Sequence, residues 1–514
     1  MPADDPKDPA ERHDAKPPLF PEDRPACGSG PGPPTSTVQD QAPKRYRQER
    51  IAHWDTVALA LDRWKGLGGY YHERLTEVYK WLVRPGLRVL ELGCGTGDLL
   101  AALEPSDGLG VDFSAEMIRR ARVRHPPMRF VQSDVHDFQD DQTFDVIILS
   151  DLVNDLWDIQ AVLRRVARMS TPRTRVIINT YSRLWEQPLA LVRRFGLAKP
   201  NLRLNWVTVE DLTNLLYLCG FEVMRRWSEF LLPVRLPLLS GLCNRYLVRF
   251  APFRWLALTN FIVARPQPHE PSPGEEPIVS VVVPARNEAG NIEPIVVRTP
   301  EMGRRTELIF VEGHSKDNTY EAVQAAISAH PERCAKLFRQ PGKGKGDAVR
   351  TGFAQAGGDV LMILDADMTV APEDLPRFYE ALRDGKGEFI NGVRLVYPME
   401  DRAMRFFNLV GNKFFSRAFS WILGQPVKDT LCGTKVLWKR DYEAIAANRS
   451  YFGDFDPFGD FDLLFGAAKL NLKIVDLPIR YRQRTYGTTN IRRWRHGWLL
   501  VRMVLVGARR LKFV

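Results

Sequence analysis

The stretch GDVLMILDADMTV, residues Gly358 to Val370, decides how the second half of this chain is read. An apolar run of strand length stops abruptly at Asp365-Ala-Asp367, as a strand buried on both faces does where it meets solvent. Two carboxylates spaced i, i+2 at a strand end point to the same side of a sheet. There their oxygens suit Mg2+ or Mn2+, with a diphosphate filling the other positions. Alone, such a pair is a common surface accident; its neighbours give it weight. IVSVVVPARNEAGNI (Ile278 to Ile292) is an apolar strand ending at Pro284 in a polar loop, and ELIFVEGHSKDNT (Glu307 to Thr319) is another ending in Glu312, with Asp317 further on. GKGKGDAVRTGF (Gly342 to Phe353) is a basic glycine loop that opens a helix.

These motifs resemble the family 2 inverting glycosyltransferases of GT-A type, and within them the polyprenyl- and dolichyl-phosphate sugar synthases, over residues 277–514. The resemblance implies a GT-A nucleotide-diphospho-sugar transferase fold, a nucleotide-sugar donor, a divalent metal on Asp365 and Asp367, and a lipid phosphate acceptor. Donor contacts are expected from Pro284, Arg286, Glu288, Glu312, Lys345 and Asp365. E-G-H-S-K-D-N-T departs from the family's D-D-G-S-x-D-G-T at Glu312, Gly313 and Asn318. Lys345 and Arg350 either face diphosphate or are solvated helix charges. NGVRLV matches G-x-R and places Arg394 at the acceptor phosphate, while KDTLCGTKVLWKR matches the acceptor-side D-x-x-C-G-x-K. In DLPIRYRQRTYGTTNI, Arg484 and Gly487 match the closing R-x-x-G-x-S-K, whereas Thr489 and Asn490 depart from it. A phosphate monoester is already ionised, but a sugar hydroxyl needs a base. Asp462 in GDFDLLF is the candidate base, or else a helix cap, while Arg394 and Arg484 suit an anionic acceptor.

The first half carries a second decisive stretch, LRVLELGCGTGDLLAAL (Leu87 to Leu103), a short strand that turns through Gly93, Gly95 and Gly97 into a helix. Glycines are needed where backbone must turn tightly against a ligand. GLGVDFSAEMI supplies a strand ending in Asp112, FVQSDVHDF one ending near Asp134, and FDVIILSDLV a fourth. The order resembles the class I S-adenosylmethionine-dependent methyltransferases. It implies a Rossmann-like seven-stranded sheet, with methionine against Glu91, Gly93, Gly95 and Gly97. The ribose would sit on Asp112 and the adenine near Asp134 and Val135. Tyr70, Tyr71 and His72 either line a methyl-acceptor pocket or belong to a lid helix over the cofactor.

The chain is thus expected to be α/β with two domains. Its 514 residues suit two to four. Residues 1–45 hold 11 of the 37 prolines and are expected to be disordered. Residues 46–265 form the methyltransferase-like domain, 266–276 a proline-rich spacer, and 277–514 the glycosyltransferase domain. Six dispersed cysteines without a C-x-x-C pair argue against a disulfide framework or zinc site and suit a reducing cytoplasm.

The net charge of +10 resides in residues 480–514, where ten Arg and Lys meet no Asp or Glu. Mixed with Trp and Leu, such a tail suits an anionic surface better than nucleic acid. AMRFFNLVGNKFFSRAFSWILG aligns Phe407, Val410, Phe414, Ala418 and Trp421 on one helical face, and Trp494, Trp498 and Leu505 recur amid arginines. These helices are expected to lie on a membrane or to pack on the catalytic sheet. The Leu- and Arg-rich stretch from Phe230 to Ala264 is expected to pack in the ordinary way rather than meet a membrane.

The sequence therefore points to a bifunctional enzyme, peripheral on the inner face of the membrane. Its second half would pass a sugar to a lipid phosphate with inversion, and its first half would methylate a related acceptor. A saccharide or glycolipid hydroxyl acceptor, or a non-catalytic assembly module, are the alternatives.

Overall fold

Short β-rich runs alternating with amphipathic helices build two seven-stranded sheets. The computed structural model describes residues 41–61, 69–194, 201–268, 276–394, 406–452, 459–480, 482, 486 and 493–514. Most of the proline-rich start and of the spacer, and Arg484, Gly487, Thr489 and Asn490, lie outside the described residues.

The first sheet contains β1 (Arg88–Leu92), β2 (Asp107–Asp112), β3 (Arg129–Gln132), β4 (Phe144–Ser150), β5 (Ser170–Tyr181), β6 (Phe221–Glu229) and β7 (Thr259–Pro266). Their order is β3-β2-β1-β4-β5-β7-β6. β7 runs antiparallel to both neighbours, with Ile177 opposite Val263 and Arg226 opposite Ile262. Val89, Leu90, Ile147, Ile148 and Ile177 have no exposed surface, because helices cover both faces of the parallel strands. Since β1, β2 and β4 are parallel, the residues following Leu92, Val111 and Ser150 share one edge of the sheet. Ligands of open α/β sheets collect at that edge.

The second sheet contains β8 (Ile278–Ala285), β9 (Arg305–Glu312), β10 (Cys334–Arg339), β11 (Val360–Ile363), β12 (Phe389–Val393), β13 (Lys435–Trp438) and β14 (Ile474–Pro478). The order is β10-β9-β8-β11-β13-β12-β14, with β13 antiparallel between β11 and β12. Parallel β8, β9 and β11 bring Ala285, Glu312 and Leu364 to a common edge. One expectation needs correcting here. Asp365 and Asp367 do not alternate along a strand: the ladder ends at Leu364, whose N–H donates to Val282 O, and a turn follows in which Met368 N donates to Asp365 O at 3.3 Å. The two carboxylates share a cleft because of that turn.

Residues 48–514 form one compact unit, and charged groups join its halves. Arg175 Nη2 donates to both oxygens of Glu388, at 2.7 and 2.6 Å, and Arg173 pairs with Asp441 at 2.6 Å. Lys473 reaches Glu222 at 2.9 Å. Arg225 and Lys469 both lie over the Trp81 ring.

The helix Phe406–Leu423 turns Phe419, Ile422 and Leu423 into the core of the second half. Its Trp421 stacks on Phe250 of the first half at 5.4 Å. The side chains of Phe407, Val410 and Trp494 lie outside the described residues. Phe414, Trp498 and Leu505 are exposed. Within Phe230–Ala264 the expectation of ordinary packing holds for Phe230, Val248 and β7 but not for Leu238 or Trp255, which face solvent.

Candidate active sites at the two sheet edges

At the first edge, β1 ends where Gly93, Gly95 and Gly97 adopt φ of 73°, 51° and 73°, the left-handed region that side chains avoid. Gly93 N and Cys94 N both donate to Val111 O, at 2.8 and 3.0 Å, clamping the turn to β2. A Cβ on Gly97 would lie 2.6 Å from the Phe130 ring, whereas one on Gly95 would meet nothing within 4 Å. Gly95 thus borders open space. Its N–H donates to Asp112 Oδ2 at 2.9 Å, and Ser114 N donates to Oδ1 at the same distance. Each oxygen keeps a lone pair for a ribose hydroxyl. Burial pushes the Asp112 carboxyl up to about 6.

Glu91 lies beneath the turn, buried, and accepts from Leu100 N at 3.1 Å. Burial raises its carboxyl to about 8. Asp134 Oδ1 accepts from His136 N and Nδ1, at 2.8 and 2.7 Å, and the Val135 side chain lies in the core. The residues present fit a nucleoside cofactor: a turn without Cβ atoms beside a carboxylate with acceptor capacity to spare.

Sequence reasoning missed the group beside this turn. Asp151, directly after β4, has φ 53°. Its carboxylate accepts from Tyr71 OH at 2.9 and 3.0 Å and from Asn179 Nδ2 at 2.5 Å. Tyr79 OH donates to Asn179 Oδ1 at 2.6 Å. Burial, then the Asp151 charge, keeps the Tyr71 phenol well above its usual range. The acid at the end of an apolar strand, the signal that singled out Asp112, was equally present in FDVIILSD. Of the GGYYHERL residues, Tyr71 reaches this edge, and Tyr70 OH accepts from Asn244 Nδ2 at 3.2 Å.

At the second edge, an open cleft of about 270 Å³ is lined by Pro284, Arg286, Glu288, Lys345, Asp365 and Asp367, among others. The structure therefore brings together five of the six expected donor residues. Glu312 is buried instead, accepts from Ser315 N and lies 3.3 Å from Arg339 Nε. Glu288 also serves its own loop, because Asn291 Nδ2 donates to it at 2.8 Å.

Lys345 Nζ lies 2.6 Å from Asp365 Oδ1. Burial opposes its charge, but Asp365 and then Asp460 outweigh that and hold the ammonium above the ordinary lysine value. A Cβ on Gly433 would fall onto the Asp365 carboxylate and the Lys345 ammonium, so the D-x-x-C-G-x-K segment abuts the D-x-D turn directly. Asp367 Oδ1 accepts from Thr369 N and Oγ1, at 3.1 and 2.7 Å. Among the described residues no three His, Cys, Asp or Glu converge as a metal cage. Two carboxylates facing an open cleft fit an ion that takes its remaining ligands from diphosphate and water, as Mg2+ does.

At the end of β12, on the same sheet edge, Arg394 and Asp429 form a two-point pair, Nε to Oδ2 at 2.7 Å and Nη2 to Oδ1 at 2.9 Å. Burial would raise the Asp429 carboxyl, but the Arg394 guanidinium prevails and holds it below its usual range. Asp462, buried in the helix Asp460–Lys469, is paired with Arg449 Nε at 2.7 Å. Its neighbour Asp460 is 3.0 Å from the fully buried Lys435.

Comparison with known proteins finds a described family in each half. Residues 280–443 match the family described as Glycosyl transferase family 2, and residues 84–214 match one described as Methyltransferase domain. Each half of the chain thus contains a region that matches a described domain, a methyltransferase domain in the first and a family 2 glycosyl transferase domain in the second. The chain is similar to the dolichol-phosphate mannosyltransferase of Saccharomyces cerevisiae, 40% identical over 111 residues, which are 20% of this chain and 41% of that protein. It is 36% identical over 109 residues to the Pyrococcus furiosus dolichol-phosphate mannosyltransferase, 21% of this chain and 30% of that protein. It is 28% identical over 224 residues to the glycosyltransferase AglJ of Haloferax volcanii, 43% of this chain and 69% of that protein. The chain spans less than half the length of the two mannosyltransferases it matches.

Proposed function

We propose that the second half, residues 277–514, transfers a sugar with inversion from a nucleoside diphosphate to a polyprenyl-phosphate-type lipid. We propose further that the first half, residues 46–265, methylates a related acceptor. The observation that carries the transferase reading is the cleft lined by Lys345, Asp365 and Asp367, with Gly433 against Asp365 and the Arg394–Asp429 pair on the same sheet edge at the end of β12. A divalent ion held by Asp365 and Asp367 would neutralise charge on the departing diphosphate. Lys345, now on Asp365, lines the same cleft and would orient that diphosphate. Pro284, Arg286 and Glu288 line the same cleft and border the nucleotide. The acceptor phosphate oxygen bonds to the sugar's anomeric carbon from the face opposite the diphosphate, whose bond to that carbon breaks. Arg394 holds the acceptor phosphate, and Arg484 is assigned there by its motif alone.

The ion pair of Asp462 favours a phosphate acceptor over a hydroxyl. That carboxylate is already engaged by Arg449, and an ionised phosphate needs no base. Asp462→Asn should therefore keep turnover within about tenfold. Near-total loss of turnover would favour the saccharide-hydroxyl reading. The direct test incubates the full chain with labelled nucleotide sugars, Mn2+ and a polyprenyl phosphate, and resolves the products by mass spectrometry. A sugar phosphodiester supports the reading, and transfer to saccharide hydroxyls alone overturns it.

In the first half S-adenosylmethionine supplies the methyl group. The Gly93–Gly97 turn and Asp112 hold it, while Tyr71, Asp151 and Asn179 border the acceptor. A lipid-linked acceptor places the protein peripherally at the inner face of the membrane, and no described helix is long and apolar enough to cross one.

A further inference from the structure

The basic, acid-free character of residues 480–514 has a counterpart in the first half. Residues 230–264 also contain no Asp or Glu, and hold Arg235, Arg245, Arg249 and Arg254 among many apolar groups. Phe230, Val248 and Leu258 anchor this stretch in the interior, but Leu236, Leu239, Leu242, Trp255 and Leu256 are exposed. Leu238 is 94% exposed, at a φ of 61° that aliphatic residues avoid. Nothing among the described residues compensates for either feature.

The stretch adjoins the basic end of the second half. Tyr246 lies 5.1 Å from the Phe513 ring, and Arg245 Nε donates to Phe513 O at 2.7 Å. Upstream of Phe513, the helix Arg493–Gly507 buries Leu500 and Met503. It exposes Trp498, Val501, Arg502 and Leu505, at helical spacing on its other side. Apolar exposure on this scale marks an interaction surface. Arg235 and Arg249 pair with Glu73 and Glu229, whereas the exposed Arg245, Arg254 and Arg502, beside Trp and Leu, complement anionic headgroups over acyl chains.

We infer that residues 236–256 of the methyltransferase half dock on an anionic bilayer together with the helix 493–507, so that both catalytic halves are held at the membrane. This deepens the lipid-acceptor reading and rests on it for the presence of a bilayer.

The test sediments the full chain with phosphatidylcholine vesicles, with and without phosphatidylglycerol. It compares the wild type, the double variant Leu238→Glu/Trp255→Glu, and the double variant Trp498→Glu/Leu505→Glu. Binding should need phosphatidylglycerol, and each double variant should weaken it by about tenfold or more. Each variant should also keep its thermal melt and its transfer to a short, detergent-soluble prenyl phosphate. Wild-type vesicle binding by Leu238→Glu/Trp255→Glu overturns the inference. So does a wild-type oligomer, seen by light scattering without vesicles, that this variant dissolves, because the face would then serve a second copy. If no prenyl phosphate is glycosylated while vesicle binding still depends on residues 238 and 255, the acceptor reading falls and the docking surface stands.

Discussion

Asp112 was legible as a candidate ribose ligand because an acid ending an apolar strand has few structural excuses. Its protonation was not legible, since burial is a property of the fold. With its carboxyl raised to about 6, the cofactor-free site is largely protonated at pH 5, whereas ribose hydroxyls donate to the ionised form. Binding must then release a proton at low pH. Affinity for S-adenosylmethionine should be flat above about pH 7 and weaken toward tenfold per pH unit well below 6. Calorimetry at pH 5 and 7.5 checks this, and Asp112→Asn should bind weakly at both. An affinity independent of pH would mean that the carboxylate does not meet the ribose.

At the scale of elements, periodicity identified what is apolar but not what covers it. The face of the helix Phe406–Leu423 that carries Phe414 and Trp421 was open to either a membrane or a sheet, and the fold instead packs the adjacent side on the core. Phe419 and Ile422 enter the core, Trp421 meets Phe250, and Phe414 remains outside. The D-x-D pair does face the cleft, but through a turn rather than strand alternation, because where a ladder ends depends on the partner strand. The glycine turn was the more legible element, and its three glycines do different work. Gly97→Ala would drive a methyl group into Phe130 and should lower the melting temperature as well as abolish cofactor binding. Gly95→Ala meets open space and bears only the strain of its φ of 51°, about 1 kcal/mol. It should stay folded yet bind S-adenosylmethionine at least about tenfold more weakly, because the added methyl intrudes where a ligand would lie. Equal affinity of Gly95→Ala and wild type would remove the turn from the cofactor site.

For the whole molecule, sequence pattern divided the chain into two α/β halves at a proline-rich stretch but did not show how firmly the halves are joined. Ion pairs such as Arg175–Glu388 link residues more than two hundred positions apart, beyond the reach of any local pattern. The joint is also rich in cations. Lys512 lies over Trp421, and burial, then Arg225 and Arg249, lowers its ammonium to about 7. Lys469, over Trp81, is lowered to about 8, chiefly by burial. Both folded values lie below the roughly 10.4 of an unfolded lysine. Between about pH 7 and 10 the unfolded chain therefore binds more protons than the folded one, and stability contributed by these groups rises with pH across that window. Lys512→Met, which keeps the stem on Trp421 and removes the charge, should raise the melting temperature at pH 7 and leave it nearly unchanged at pH 10. If the joint binds the halves into one cooperative body, calorimetry should show a single transition that carries this shift. Two transitions, with the shift confined to neither, would mean that the halves melt apart and that Lys512 does not report on their union.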